Sequence, residues 1–130
     1  MIGLDTNVIL RWLLADDPAQ KQAADELLGS LSDGVPGFVT EVTMAELEWA
    51  LRKVYGLPKE RVLDTLEELL ASEFLEFDDG ESVWQAVIQA RDGADFADAL
   101  IAETARLYGC DEVVTFDKGA SRKLGMRLLS

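Results

Sequence analysis

Apolar residues fall along this chain in two rhythms, short unbroken runs and longer stretches that repeat every three to four positions. Met1–Leu4 is a short apolar opening of the kind that forms a buried parallel strand. Val8, Ile9, Trp12 and Leu13 then keep helical spacing, with Asp5 or Thr6 available to cap the helix. Asp16-Asp17-Pro18 predicts a second helix start, with Pro in the first turn and acids at the amino end. Ala19, Ala23, Leu27 and Leu31 are its expected packed side. Gly34 and Pro36 break the pattern before a short strand at Gly37–Val39. Glu41 to Tyr55 reads as a helix stopped by Gly56 and Pro58, and Pro58 leads a further helix carrying Val62, Leu66, Leu69 and Leu70.

The second half continues the alternation. Phe74–Phe77 is strand-like and runs into a turn at Asp78-Asp79-Gly80, and a helix with Val83, Trp84, Val87 and Ile88 ends near Gly93. Asp95 to Tyr108 predicts another helix, closed by Gly109. Glu112–Thr115 is expected to be a buried strand, Lys118–Leu124 a short helix, and Met126–Leu129 a last strand or edge segment. This order predicts an α/β fold with a mainly parallel central sheet and helices on both faces, in one domain spanning residues 1–130. No internal repeat, low-complexity tract or linker interrupts it.

Composition narrows the chemistry. The chain has no histidine, which excludes Ser-His-Asp and Cys-His nucleophilic sites, HExxH zinc hydrolysis and any histidine general base. The single cysteine, Cys110, cannot make an internal disulfide or a multi-cysteine zinc site, and is expected as a small buried side chain leading into the strand around Val113. Hydrolysis, if present, must rely on carboxylates. Asp5 and Arg11 interrupt the first apolar stretch, so no secretory leader is expected, and no apolar run approaches the ~20 residues that span a bilayer. With no paired cysteines, a cytoplasmic setting is the expectation.

Against 25 acidic residues stand 12 basic ones, a net charge of −13. That balance argues against a general nucleic-acid binder, since phosphate binding depends on positive charge. It leaves room for a nuclease, because a cation neutralises the acids nearest the scissile phosphate. Arg11, Arg91 and the C-terminal Lys118, Arg122, Lys123 and Arg127 are the bases available to guide the rest.

Four carboxylates stand where functional groups gather in alternating strand–helix folds, beyond the carboxyl ends of strands or on an adjoining helix. They are Asp5 after the first strand, Glu46 in the Glu41–Tyr55 helix, Asp98 in the Asp95 helix and Asp117 after the Val113–Thr115 run. Three of them have a plain structural role available, and Glu46 does not. Asp5 and Asp117 suit helix caps, and Asp98 suits a first helical turn capped by Asp95. Glu46 is expected on an apolar stripe with Val42, Ala45, Trp49 and Ala50, whereas Glu48 is expected off the stripe and solvated. Asp98 shares a helical face with Ile101, Ala102 and Ala105, so it is expected to face packed neighbours. Carboxylates brought together repel one another, and a divalent cation removes that penalty. Hard oxygen donors select Mg²⁺ or Mn²⁺.

At these residues the chain resembles the PIN-domain ribonucleases, specifically the VapC-type toxins of VapBC toxin–antitoxin systems. The likeness rests on Leu4-Asp5-Thr6-Asn7-Val8-Ile9, on the helical Glu46, on Asp95-Phe96-Ala97-Asp98-Ala99-Leu100-Ile101-Ala102 and on Thr115-Phe116-Asp117. It covers essentially the whole chain, with no acid missing. The resemblance implies a metal-dependent endoribonuclease that places Asp5, Glu46, Asp98 and Asp117 around Mg²⁺ or Mn²⁺. Thr6 and Asn7 would steady the loop around Asp5, with Asp95 and Thr115 close to the site. Water would then be activated to hydrolyse RNA phosphodiesters, leaving 5′-phosphate and 3′-hydroxyl ends. Also implied are a homodimer and a cognate antitoxin that binds DNA on the toxin's behalf, which would reconcile the acidic charge with a nucleic-acid role. An arginine of that antitoxin would suit the acid pocket.

Two other readings remain. A phosphotransfer domain of haloacid-dehalogenase or response-receiver type also places acids after strands, although Asn7 stands where the former needs a second Asp. A non-catalytic module could use the acids, with exposed Leu and Trp of the early helices, to hold a basic partner.

Overall fold

Short strands set the frame. In the computed structural model, which describes all 130 residues, β1 (Ile2–Gly3), β2 (Gly37–Val39) and β3 (Leu75–Phe77) form a parallel sheet in the order β1-β2-β3. Ile2 stands opposite Gly37, and Phe38 opposite Glu76. Gly37 is needed for this close pairing. A Cβ there would lie 2.9 Å from a Leu4 methyl and 3.0 Å from methyls of Leu31 and Leu75. Because the three strands are parallel, Asp5, Glu41 and Asp78 all follow strand ends on one edge. The chain β4 (Val114–Thr115) pairs in parallel with β5 (Arg127–Leu128) in a ladder of its own. The expected α/β fold is present, as helices around a small parallel sheet; the difference is that the fourth and fifth strands pair apart from the first three.

Seven α-helices surround these strands: α1 (Thr6–Leu13), α2 (Pro18–Gly29), α3 (Glu41–Trp49), α4 (Lys59–Leu70), α5 (Gly80–Arg91), α6 (Phe96–Leu107) and α7 (Lys118–Leu124). Their starts follow the sequence signals. Asp17 accepts from the Gln20 amide with Pro18 in the first turn, Asp79 from the Ser82 amide, and Asp95 from the Asp98 amide. Ile9, Met44, Leu47, Leu51, Val62, Leu63, Leu66, Val83 and Val87 form the sealed centre of the core. No helix is long and apolar enough to cross a membrane.

Several expectations are corrected. The Glu41–Tyr55 helix changes to π-helical hydrogen bonding at Ala50–Val54, then ends at Gly56 with φ of 67°. In α2 it is Ala24 that is buried, while Ala19 and Ala23 are exposed. Cys110 is exposed, because the chain leaves α6 through a surface turn. Only Val114–Thr115 of the expected buried strand is extended, and Val114 is exposed on this two-residue ladder.

The most instructive correction concerns α3. Its sequence is apolar on two sides, Val42–Ala45–Trp49 and Met44–Leu47–Leu51, so periodicity alone cannot say which side faces inward. The core takes Met44, Leu47 and Leu51, leaving Val42 and Trp49 exposed. Glu48 therefore goes inward, only 5% exposed, and Glu46 outward, the reverse of the expectation. Burial of Glu48 is offset by Arg52, whose Nε and NH2 donate to its two oxygens at 2.8 and 3.3 Å.

Candidate metal centre

Asp5 occupies the N-cap position of α1 with extended backbone, yet its side chain makes no capping hydrogen bond. The structural role available to it in sequence is thus left unused. Buried Leu4 on one side, with Thr6, Ile9 and Leu10 on the other, fixes the backbone that presents it. The next residue, Thr6, donates from Oγ1 to Glu46 Oε1 at 2.8 Å, tying α1 to α3. Asp5, Thr6, Asn7 and Glu46 line one open cleft of about 600 Å³, together with Leu10, Ala45, Trp49 and Ala50. Thr6 thus steadies Glu46 through a direct bond, and Asn7 borders the same space.

A second group of acids gathers at the start of α6. Asp95 Oδ1 accepts from the Asp98 amide at 2.9 Å, which fixes the turn carrying Asp98. The Asp98 carboxyl is pushed above its ordinary value, chiefly by burial, then by the nearby charges of Asp95 and Asp117. α7 packs against α6, which brings Asp117 at its N-cap within charge range of Asp98 although 19 positions separate them in the chain. Asp117 fills the cap role: its Oδ1 accepts from the Ala120 amide at 2.9 Å. Thr115 Oγ1 in turn accepts from the Asp117 amide at 3.0 Å. Asp98 is half-buried, but its helical neighbour Ile101 is exposed, so that face borders a surface groove and not the packed interior.

The structure thus pairs Asp5 with Glu46 and Asp98 with Asp117. Ala45 lies at the join, lining both the Asp5–Glu46 cleft and a groove bordered by Ala97 and Ile101 of α6. No three acidic side chains stand close enough to form a closed metal cage. In kind the donors suit a hard cation, being all carboxylates with no thiol or imidazole among them. In spacing they stand as two pairs and not as one closed set of ligands. None of the four is ion-paired with a Lys or Arg, whereas Asp16, Asp25, Glu48, Glu60, Asp64, Glu67, Glu103 and Glu112 all are.

One residue that the sequence marked only as a helix start also shapes this edge. Glu41, in the first turn of α3, accepts from Thr104 Oγ1 at 2.6 Å and so ties α3 to α6. Its amide donates to Asp78 Oδ1 at 2.8 Å, joining the ends of β2 and β3. The only signal for Glu41 was its place just past a strand end and a Thr cap.

A search of curated proteins finds no match to the chain. The family model described as PIN domain matches residues 2–124, which include all four acids and every bond just described around them. Proteins with this fold are typically metal-dependent nucleases. The chain belongs to the PIN domain family.

Proposed function

We propose that this protein is an endoribonuclease that hydrolyses RNA phosphodiesters with the help of Mg²⁺ or Mn²⁺, using Asp5, Glu46, Asp98 and Asp117. The observation that carries the reading is that these acids, within a matched PIN domain, have no cationic partner. All four lack a cationic partner, where eight of the other 21 carboxylates have one, and Asp5 also leaves its capping role unfilled. Acids held near one another without cations carry a repulsion that a divalent ion would relieve.

A bound divalent ion would activate water for attack and stabilise the charge that develops on the phosphate. The chain's own residues do the positioning. Thr6 holds Glu46, Asp95 holds the first turn of α6 behind Asp98, and Thr115 holds the loop that presents Asp117. With no histidine to deprotonate a ribose hydroxyl, water is the nucleophile in this reading, and the products carry 5′-phosphate and 3′-hydroxyl ends.

We further infer a VapC-type toxin whose single domain of residues 1–130 works in the cytoplasm as a homodimer, restrained by a cognate antitoxin that supplies DNA binding. An apolar groove between α3 and α6, with Val42 69% and Ile101 56% exposed, supports a protein partner close to the acids. The test is incubation of purified protein with a panel of tRNAs and structured RNAs, with Mg²⁺, with Mn²⁺ and with chelator. Discrete metal-dependent products, absent for Asp5→Asn and Asp98→Asn of native fold, are expected. Cutting that persists in chelator, or wild-type rates in both variants, contradicts the reading.

A further inference from the structure

The chain's charge poses a problem for any RNA substrate. At −13 the molecule repels a polyanion, and half of its cations are engaged by its own acids. Arg91 alone binds Glu60, Asp64 and Glu67, while Arg127 binds both oxygens of Glu112 and Arg11 binds Asp16. Lys21, Arg52 and Arg106 are likewise paired with acids. Lys59 and Lys123 donate to the Ala94 and Asp92 carbonyls, each at 3.4 Å. These two brace the turn before Asp95, and through Lys123 α7 is held against the start of α6.

Four cations remain whose side chains make neither a hydrogen bond nor an ion pair: Lys53, Arg61, Lys118 and Arg122. Two of them lie on α7, whose seven residues contain three cations and no acid. Lys118 directly follows Asp117, and Arg122 stands four residues on, about 6 Å further along the helix axis and on the same side. Both are exposed, opposite the buried Ala120. The charge of Asp117 is among those that raise the Asp98 carboxyl. Half of the unengaged positive charge of this acidic chain thus lies on the helix that Asp117 caps.

Resting on the ribonuclease reading, we propose that Lys118 and Arg122 form the contact for the RNA phosphodiester backbone, guiding the strand past Asp117. They would bind phosphates without reading bases, so they would govern affinity and salt dependence and leave sequence choice to other groups.

The experiment measures anisotropy of a labelled single-stranded oligoribonucleotide over a salt series with Mg²⁺, using Asp98→Asn protein to prevent cleavage. Adding Lys118→Ala and Arg122→Ala is expected to weaken binding about tenfold at low salt. The same pair should reduce the slope of log K against log salt by roughly 1.4, two single-strand phosphate contacts' worth. Lys53→Ala with Arg61→Ala removes the same charge elsewhere and is expected to keep the parent slope. Exchanging the two cations, Lys118→Arg with Arg122→Lys, should retain binding. In otherwise wild-type protein the α7 pair should raise KM and leave kcat nearly unchanged. A parent slope in the α7 variant, or equal loss in both double variants, overturns the inference while cleavage by the wild type leaves the ribonuclease reading standing. If the parent does not bind RNA and the wild type does not cut it, both fall together.

Discussion

The two ends of the acid site hold their carboxylates by different means. Around Asp5 and Glu46 position comes from burial. Leu4, Ile9 and Leu10 pin one backbone and Met44 and Leu47 the other, with a single Thr6 bond between them. Around Asp117 position comes from local hydrogen bonds on an open surface, where Val114 is exposed and Phe116 is 74% exposed. Asp98 stands between these regimes, on a turn fixed by Asp95 but anchored by buried Phe96 and Ala99. An acid set by the core moves only when the fold gives way. An acid set by a cap answers to the loss of one bond.

The sharpest break follows from cutting the core under Glu46. Leu47→Ala empties a fully buried position and should lower stability by about 2–5 kcal/mol in denaturant melts, with cleavage lost in proportion to unfolding. Next is the buried ion pair on the same helix. Arg52→Ala leaves Glu48 charged and unpaired inside. Because Arg52 is itself partly exposed, we expect about 1–3 kcal/mol, below the range for fully buried pairs. A still smaller effect is expected at the open end. Asp117→Ala should cost about 1 kcal/mol as a lost cap, whereas Asp117→Asn keeps the cap and should melt close to wild type. Both should lose metal-dependent cleavage. Normal cutting by the well-folded Asn variant would leave Asp117 as a cap alone.

The same division explains what was legible in the sequence. Helix starts were readable because capping residues act locally: Asp17, Asp95 and Asp117 cap where the sequence places them, and Asp79, read only as a turn residue, caps as well, while Asp5 does not. The α/β order and the candidate acids were readable from strand ends and helical spacing. Which way α3 turns was not, since it is apolar on two sides and only packing against other elements chooses Met44, Leu47 and Leu51 over Val42 and Trp49. The Glu46–Glu48 reversal follows from that choice. Nor was the sorting of cations legible. Arg91 meets Glu60, Asp64 and Glu67 only because α5 packs on α4, and Arg127 meets Glu112 only because β5 returns beside β4.

The smallest effect is one of pH. Burial, Asp95 and Asp117 raise the folded pKa of Asp98 above its unfolded value. Between those two values the folded state binds more protons than the unfolded one, so stability falls as pH rises through that window. Asp98→Asn removes this slope. Without divalent cations the variant should match wild type below the window and exceed it in stability above, as followed by thermal melts across pH. An advantage that is the same at every pH would remove Asp98's charge as the cause.

The central claim is that these acids are kept unpaired in order to hold a divalent cation. Calorimetric titration of Mn²⁺ into purified wild type, Asp5→Asn and Glu46→Gln protein tests it most directly. We predict saturable binding by the wild type, with affinity reduced at least about tenfold in each variant of native fold, as expected when a charged ligand is removed. Wild-type affinity in both variants, or no saturable binding by the wild type, would contradict the account.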